Sequence, residues 1–110
     1  GTIISQLRKD GFIEAQAIPQ EETFKAGILF AQAEGIIPAP ESTHAISVAI
    51  REALKAKEEG QEKVILFNLS GHGLIDMMSY EKYLQGGLHN FEIEQASIDD
   101  SIARIQSLQP

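Results

Sequence analysis

The sequence predicts an α/β fold with few strands and several helices, in which residues 1–110 form a single domain or a fragment of one. Three observations lead there. Apolar residues recur at helical spacing over two long stretches, each closed by glycine. The continuous apolar run Val64-Ile65-Leu66-Phe67 has the composition of a strand buried on both faces. A glycine-rich turn, Ser70-Gly71-His72-Gly73, lies just past the carboxyl end of that run, where ligands of open α/β sheets bind.

The elements follow in order. Thr2 to Lys9 makes one or two turns of helix, broken by Gly11. Phe12 to Ile18 sets Ile13, Ala15 and Ala17 on one face at a spacing of two and reads as a strand. Pro19 ends it. Glu21 and Glu22 then face the positive end of a helix macrodipole, and Phe24, Ile28 and Ala31 recur at helical spacing, giving a helix over about 20–34. Gly35-Ile36-Ile37-Pro38-Ala39-Pro40 is a stiff connector, because two prolines fix φ and push the residues before them out of the helical region. A helix from Pro40 or Glu41 to about Glu59 carries the stripe Ala45, Ile46, Ala49, Ile50, Ala53 and Leu54. After the Val64–Phe67 strand and its turn, a helix starts near Asp76 with Met77, Tyr80, Tyr83 and Leu84, the methionines serving as core filler. Phe91 to Ile93 reads as extended, and Ser97 caps a last helix carrying Ile98, Ile102 and Ile105. Two short strands are too little sheet to cover apolar stripes this wide, which suggests a piece of a larger α/β protein.

Composition narrows the partners. With 9 Lys+Arg against 16 Asp+Glu, the formal net charge is -7. A general phosphate-backbone binder or a protein docked on anionic lipid needs the opposite sign, so neither nucleic acid nor membrane is expected. No Cys is present, which removes disulfides, thiolate metal sites and a Cys nucleophile. The apolar runs are too short for a bilayer, which takes about 20 residues. The opening Gly-Thr-Ile-Ile has no basic-then-apolar leader and reads as a cut end. A cytoplasmic location is expected.

Ser70 is the first candidate for chemistry, with Gly71 and Gly73 allowing the backbone to bend and approach a ligand. A glycine-rich turn also occurs without any ligand, and local features leave both readings open. The Gly-x-Ser-x-Gly nucleophile pattern fails, because Asn68 stands where glycine is needed. His44, His72 and His89 lack the i, i+4 spacing of a helical zinc site, so no metal is assigned. Glu34 is either an exposed helix end or a carboxylate beside the apolar connector, where its pKa would serve a site.

Four segments together resemble one family. Glu34-Gly35-Ile36-Ile37-Pro38-Ala39-Pro40-Glu41-Ser42-Thr43-His44-Ala45 is similar to the "EGI-PA-ES-HA" segment of tryptophan synthase β chains. Val64 to Gly73 resembles their "NLSGxG" strand end. Gly11 to Gln20 and Asp76 to Leu84 resemble the second, longer type of β chain, as does His72 where the ordinary type has Arg. The resemblance covers nearly the whole chain and corresponds to the C-terminal part of such an enzyme. It implies that the chain is a fragment of the three-layer α/β sandwich of fold-type II pyridoxal-phosphate enzymes and, in the parent protein, condensation of L-serine with indole to L-tryptophan. It implies that the Ser70 hydroxyl bonds the pyridine nitrogen of the cofactor, that Glu34 lies near the ring, and that Gly71 and Gly73 shape the wall around it. None of Lys9, Lys25, Lys55, Lys57, Lys63 and Lys82 lies in a motif like the family's cofactor-binding lysine. No covalent cofactor and no catalytic residue is therefore expected in this chain, whose partner is the remainder of the enzyme or a second copy of itself. The alternative is a stand-alone α/β interaction or small-ligand module without catalytic activity.

Overall fold

The computed structural model describes residues 1–89 and 95–107. Among these the chain is helical: α1 (Thr2–Lys9), α2 (Gln20–Glu34), α3 (Ser42–Glu58), a single 3-10 turn (Gly73–Asp76), α4 (Met77–Leu84) and α5 (Gln95–Ser107). No helix among the described residues is long and apolar enough to cross a membrane.

The helical readings hold where local chemistry dictates them. Pro19 sits in the extended region at φ -60°, ψ 145°, and α2 begins at the next residue with Glu21 and Glu22 in its first turn. At its other end Gly35 adopts φ +71°, and its N–H donates to the Ala31 carbonyl at 2.9 Å. A side chain there would be strained in the left-handed region, which glycine enters freely. Helix α3 ends with Lys55 and Lys57 in its last turn, complementing the negative end of the dipole.

Helices α2, α3 and α4 make the packed core, and α1 and α5 pack on no other helix among the described residues. Gly27 of α2 is the point of closest approach. A Cβ there would meet Thr43 Cγ2 at 2.7 Å and Tyr80 Oη at 2.9 Å. Phe24 of α2 meets Tyr80 edge-on at a centroid distance of 5.1 Å and stacks on Tyr83 at 5.5 Å, which fixes α4 against α2.

Four expectations are corrected. Neither predicted strand forms a ladder among the described residues. A helix closes its own hydrogen bonds, whereas a strand needs a neighbour's backbone, and none of the described segments offers one. Phe12 is 77% exposed, leaving only Ile18 of the 12–18 segment buried. The buried face of α3 is displaced from the predicted stripe: Ser42, Thr43, Ile46 and Ser47 are covered, while Ala53 and Leu54 are exposed. Small hydroxyls suit so close a crossing because they satisfy themselves locally. Thr43 Oγ1 donates to the Pro40 carbonyl, and Ser47 Oγ to the Thr43 carbonyl at 2.8 Å. Met77 and Met78 are exposed rather than core filler, because α4 turns Tyr80 and Tyr83 inward instead. Finally, α5 starts at Gln95, so Ser97 lies in its first turn and not at its cap. The expected extended stretch Phe91–Ile93 lies outside the described residues.

Candidate functional site

The turn after the apolar run is fastened to the proline connector. Pro38 and Pro40 have no N–H and keep the connector out of the helical region, so carbonyls 37 and 38 are free to accept from elsewhere. The Gly73 N–H donates to the Ile37 carbonyl at 2.9 Å, and Tyr80 Oη donates to the Pro38 carbonyl at 2.6 Å. Gly73 is buried because nothing larger fits: a Cβ would lie 2.6 Å from both Ile37 Cγ2 and the Pro38 oxygen. Ser42, the buried first residue of α3, engages Ser70 twice. Its hydroxyl donates to the Ser70 carbonyl at 2.7 Å and accepts from the Ser70 N–H at 3.2 Å. Gly71 turns at φ +69° with Ala39 Cβ 3.3 Å from where its own Cβ would be. His72 is extended, and its Nδ1 accepts the Leu74 N–H at 3.3 Å, capping the 3-10 turn.

These contacts enclose an open cleft of about 400 Å³ walled by Ala39, Glu41, Ser70, Gly71, His72 and Asp76. Glu41 and Asp76 make it acidic, and no Lys or Arg lines it. Burial pushes the Tyr80 phenol above its ordinary value, and the Asp76 and Glu41 carboxylates push it further the same way. Such a cleft repels a phosphate and favours neutral or cationic groups. The Ser70 hydroxyl makes no hydrogen bond among the described residues while its backbone is held on both sides. It is therefore available as a positioned donor or acceptor.

Of the residues singled out in the sequence, Ser70 and Gly71 wall the cleft. Gly73 lies behind that wall, packed on Tyr80. Glu34 is exposed at the last residue of α2 and does not line the cleft. Glu41 and Ser42 carry no site role in the sequence reading, although both lie in the 34–45 segment; the pairing of Ser42 with Ser70 spans 28 residues and leaves no periodic signal.

No protein-family model matches the chain. Curated relatives do. The tryptophan synthase beta chain 2 of Thermotoga maritima is 65% identical over 78 residues, covering 71% of this chain and 18% of that protein. That of Aeropyrum pernix is 54% identical over 92 residues, 84% of this chain and 20% of the relative. The chain belongs to the tryptophan synthase β family. The tryptophan synthase beta chain of Thermococcus onnurineus matches at 55% over 92 residues, 84% of this chain and 21% of its own length. The chain thus spans about a fifth of the tryptophan synthase β chains it matches.

Proposed function

We propose that this chain is the C-terminal part of a pyridoxal-phosphate-dependent tryptophan synthase β enzyme of the second type, and that it supplies the ring-nitrogen side of the cofactor site. The parent reaction is the condensation of L-serine with indole to L-tryptophan. The observation that carries the reading is Ser70: an uncommitted hydroxyl on a backbone held from both sides, at the head of a positive-φ glycine turn. Identity of 54–65% to tryptophan synthase β chains supports it.

The residues present fit that end of the cofactor and not its phosphate. The cleft holds two carboxylates and no lining cation, so the phosphate group belongs to residues outside this cleft. Gly71 lets the ring edge come close to the backbone. Pyridoxal phosphate, when bound, supplies the electron sink for β-replacement. Ser70 would hold the ring nitrogen without forcing a proton onto it, because a neutral hydroxyl both donates and accepts. Gly71 and Gly73 complete the proposed set, Gly73 through the packing behind the wall, while Glu34, which does not line this cleft, is placed near the ring by the family resemblance alone.

The exposed apolar run 64–67 is where the remainder of the β chain is proposed to add its strands. In the isolated chain a second copy is the available cover. Catalysis is not expected from the segment alone, since none of its lysines matches the cofactor-binding motif of the family.

The test is Ser70→Asp in a full-length β chain carrying this sequence. A carboxylate within about 4–6 Å raises the pKa of a basic partner by about 1–3 units, which holds the ring nitrogen protonated. The cofactor absorption should shift, and tryptophan formation should fall by about tenfold or more. An unchanged spectrum and rate would remove Ser70 from the cofactor site.

A further inference from the structure

We propose that Ser42 is a positioning residue for the cofactor site, acting through the backbone of Ser70; this rests on the proposed function above. Ser42 is buried at the first position of α3, with its own N–H committed to the Ala39 carbonyl at 2.9 Å. Its hydroxyl is the only group among the described residues that meets both backbone polar atoms of Ser70, at 2.7 Å to the carbonyl and 3.2 Å to the N–H. One hydroxyl used as donor and acceptor at once fixes the peptide planes on either side of Ser70. Those planes set the direction of the Cα–Cβ bond and hence where the Ser70 hydroxyl points. The neighbouring Gly71, at φ +69°, has no side chain to resist rotation of the turn, so the restraint has to come from outside it.

The geometry of α3 makes Ser42 rigid. Thr43 beside it is fully buried and bonds the Pro40 carbonyl, and Pro38 and Pro40 stiffen the entry to the helix. Alanine at 42 removes the clamp without enlarging the side chain. Water then takes over at the Ser70 N–H and carbonyl, and the turn loses its fixed orientation. Ser47 provides the matched control. It is a buried serine on the same helix, its hydroxyl bonded among the described residues only to the Thr43 carbonyl at 2.8 Å, and it does not line the cleft.

The experiment compares Ser42→Ala, Ser47→Ala and Ser70→Ala in a full-length β chain carrying this sequence. Amide hydrogen exchange at Ser70 is read without cofactor, and the cofactor absorption spectrum and dissociation constant are read with it. Ser42→Ala should speed exchange of the Ser70 amide and weaken cofactor binding, each by about tenfold, the scale of one or two net hydrogen bonds. It should reproduce the spectral shift of Ser70→Ala, with Ser47→Ala within about twofold of the parent on every readout. If Ser70→Ala moves the spectrum and Ser42→Ala does not, the positioning role is overturned while the cofactor site stands. Equal effects from Ser42→Ala and Ser47→Ala reduce Ser42 to general packing and also overturn it. A silent Ser70→Ala overturns the reading of the site itself, and the positioning role with it.

Discussion

The two sides of the 60–80 region differ sharply. Residues 70–80 are knitted into the proline connector and α2 by Tyr80, Gly73 and the Ser42 clamp. Residues 64–67, immediately before them, form no ladder among the described residues, with Val64 99% and Leu66 93% exposed. Ile65 and Phe67 alternate with these and line an apolar groove of about 340 Å³ with Leu29, Phe30, Ile46 and Ile50. Phe30 and Phe67 meet edge-on at 6.0 Å. One face of the run is thus seated and the other is open. The hydrogen bonds of the 70–80 side are complete within about forty residues of sequence, whereas a buried strand needs backbone from elsewhere.

The sharpest way to break the knitted side is Gly73→Ala. The new methyl would lie 2.6 Å from the Pro38 oxygen, which is backbone and cannot rotate away, and the 2.9 Å bond from Gly73 N–H to Ile37 would be displaced. A loss of about 3 kcal/mol is expected from urea unfolding, the upper end for overpacking. Ala at Gly60, where nothing lies within 4 Å, carries only its backbone cost at φ +65° and should lose clearly less.

Tyr80→Phe removes one bond from the same side without changing shape. The Pro38 carbonyl loses its 2.6 Å donor, so a loss of about 1–2 kcal/mol is expected at neutral pH. The pH dependence carries its own sign. The folded phenol is raised by burial first and then by Asp76 and Glu41, so the native state holds its proton after an unfolded tyrosine has released it. An unfolded tyrosine ionises near pH 10. The stabilisation is full below that pH and is lost as pH rises through the folded value. The gap between parent and Tyr80→Phe should therefore narrow above about pH 10 in denaturant titrations. A gap constant with pH would show that the phenol does not titrate differently in the fold.

The same contrast explains what could be read from sequence. The α2 boundaries were legible because Pro19, Glu21, Glu22 and Gly35 act within one turn of where they stand. The turn at Ser70 was legible for the same reason. The Val64–Phe67 run is apolar as its sequence predicts but forms no ladder among the described residues, since pairing is a property of two segments and the other predicted strand, 12–18, forms no ladder there either. The covered face of α3 was misplaced because apolar periodicity ignores Thr43 and Ser47, hydroxyls that bury cheaply by bonding their own helix. Ser42 and Glu41 receive no site role from the sequence because theirs comes from contacts across the chain, which no spacing rule encodes.

Between the two extremes lies a contact that bridges helices at the surface. Arg51 Nη2 of α3 meets Glu22 Oε2 of α2, with both side chains more than a third exposed. Solvent screens such a pair. A double-mutant cycle with Arg51→Ala and Glu22→Ala should give a coupling of about 0.5 kcal/mol, vanishing in 1 M salt. A coupling above about 1 kcal/mol would mean that the surface pair, and not the close packing of Gly27 on Thr43, orients α3 on α2.

The open side calls for the opposite kind of test, one in which the fold is untouched. Val64→Lys with Leu66→Lys alters two side chains that the described residues leave in solvent, so the unfolding free energy should stay within about 0.5 kcal/mol of the parent. Association should change instead. The parent chain exposes a row of apolar side chains beside an unpaired backbone, a template for a second copy, and apolar burial returns roughly 25 cal/mol per Å². Sedimentation equilibrium at micromolar concentration should show a dimer or larger for the parent and a monomer for the double variant. Charge works against this outcome: the two lysines reduce a net charge of -7 and so weaken the repulsion between copies. A variant that nonetheless dissociates has lost apolar contact and strand pairing, not gained repulsion. A parent that is monomeric throughout would mean that the groove around Phe67 already seats enough of the run, and that the open face needs no cover.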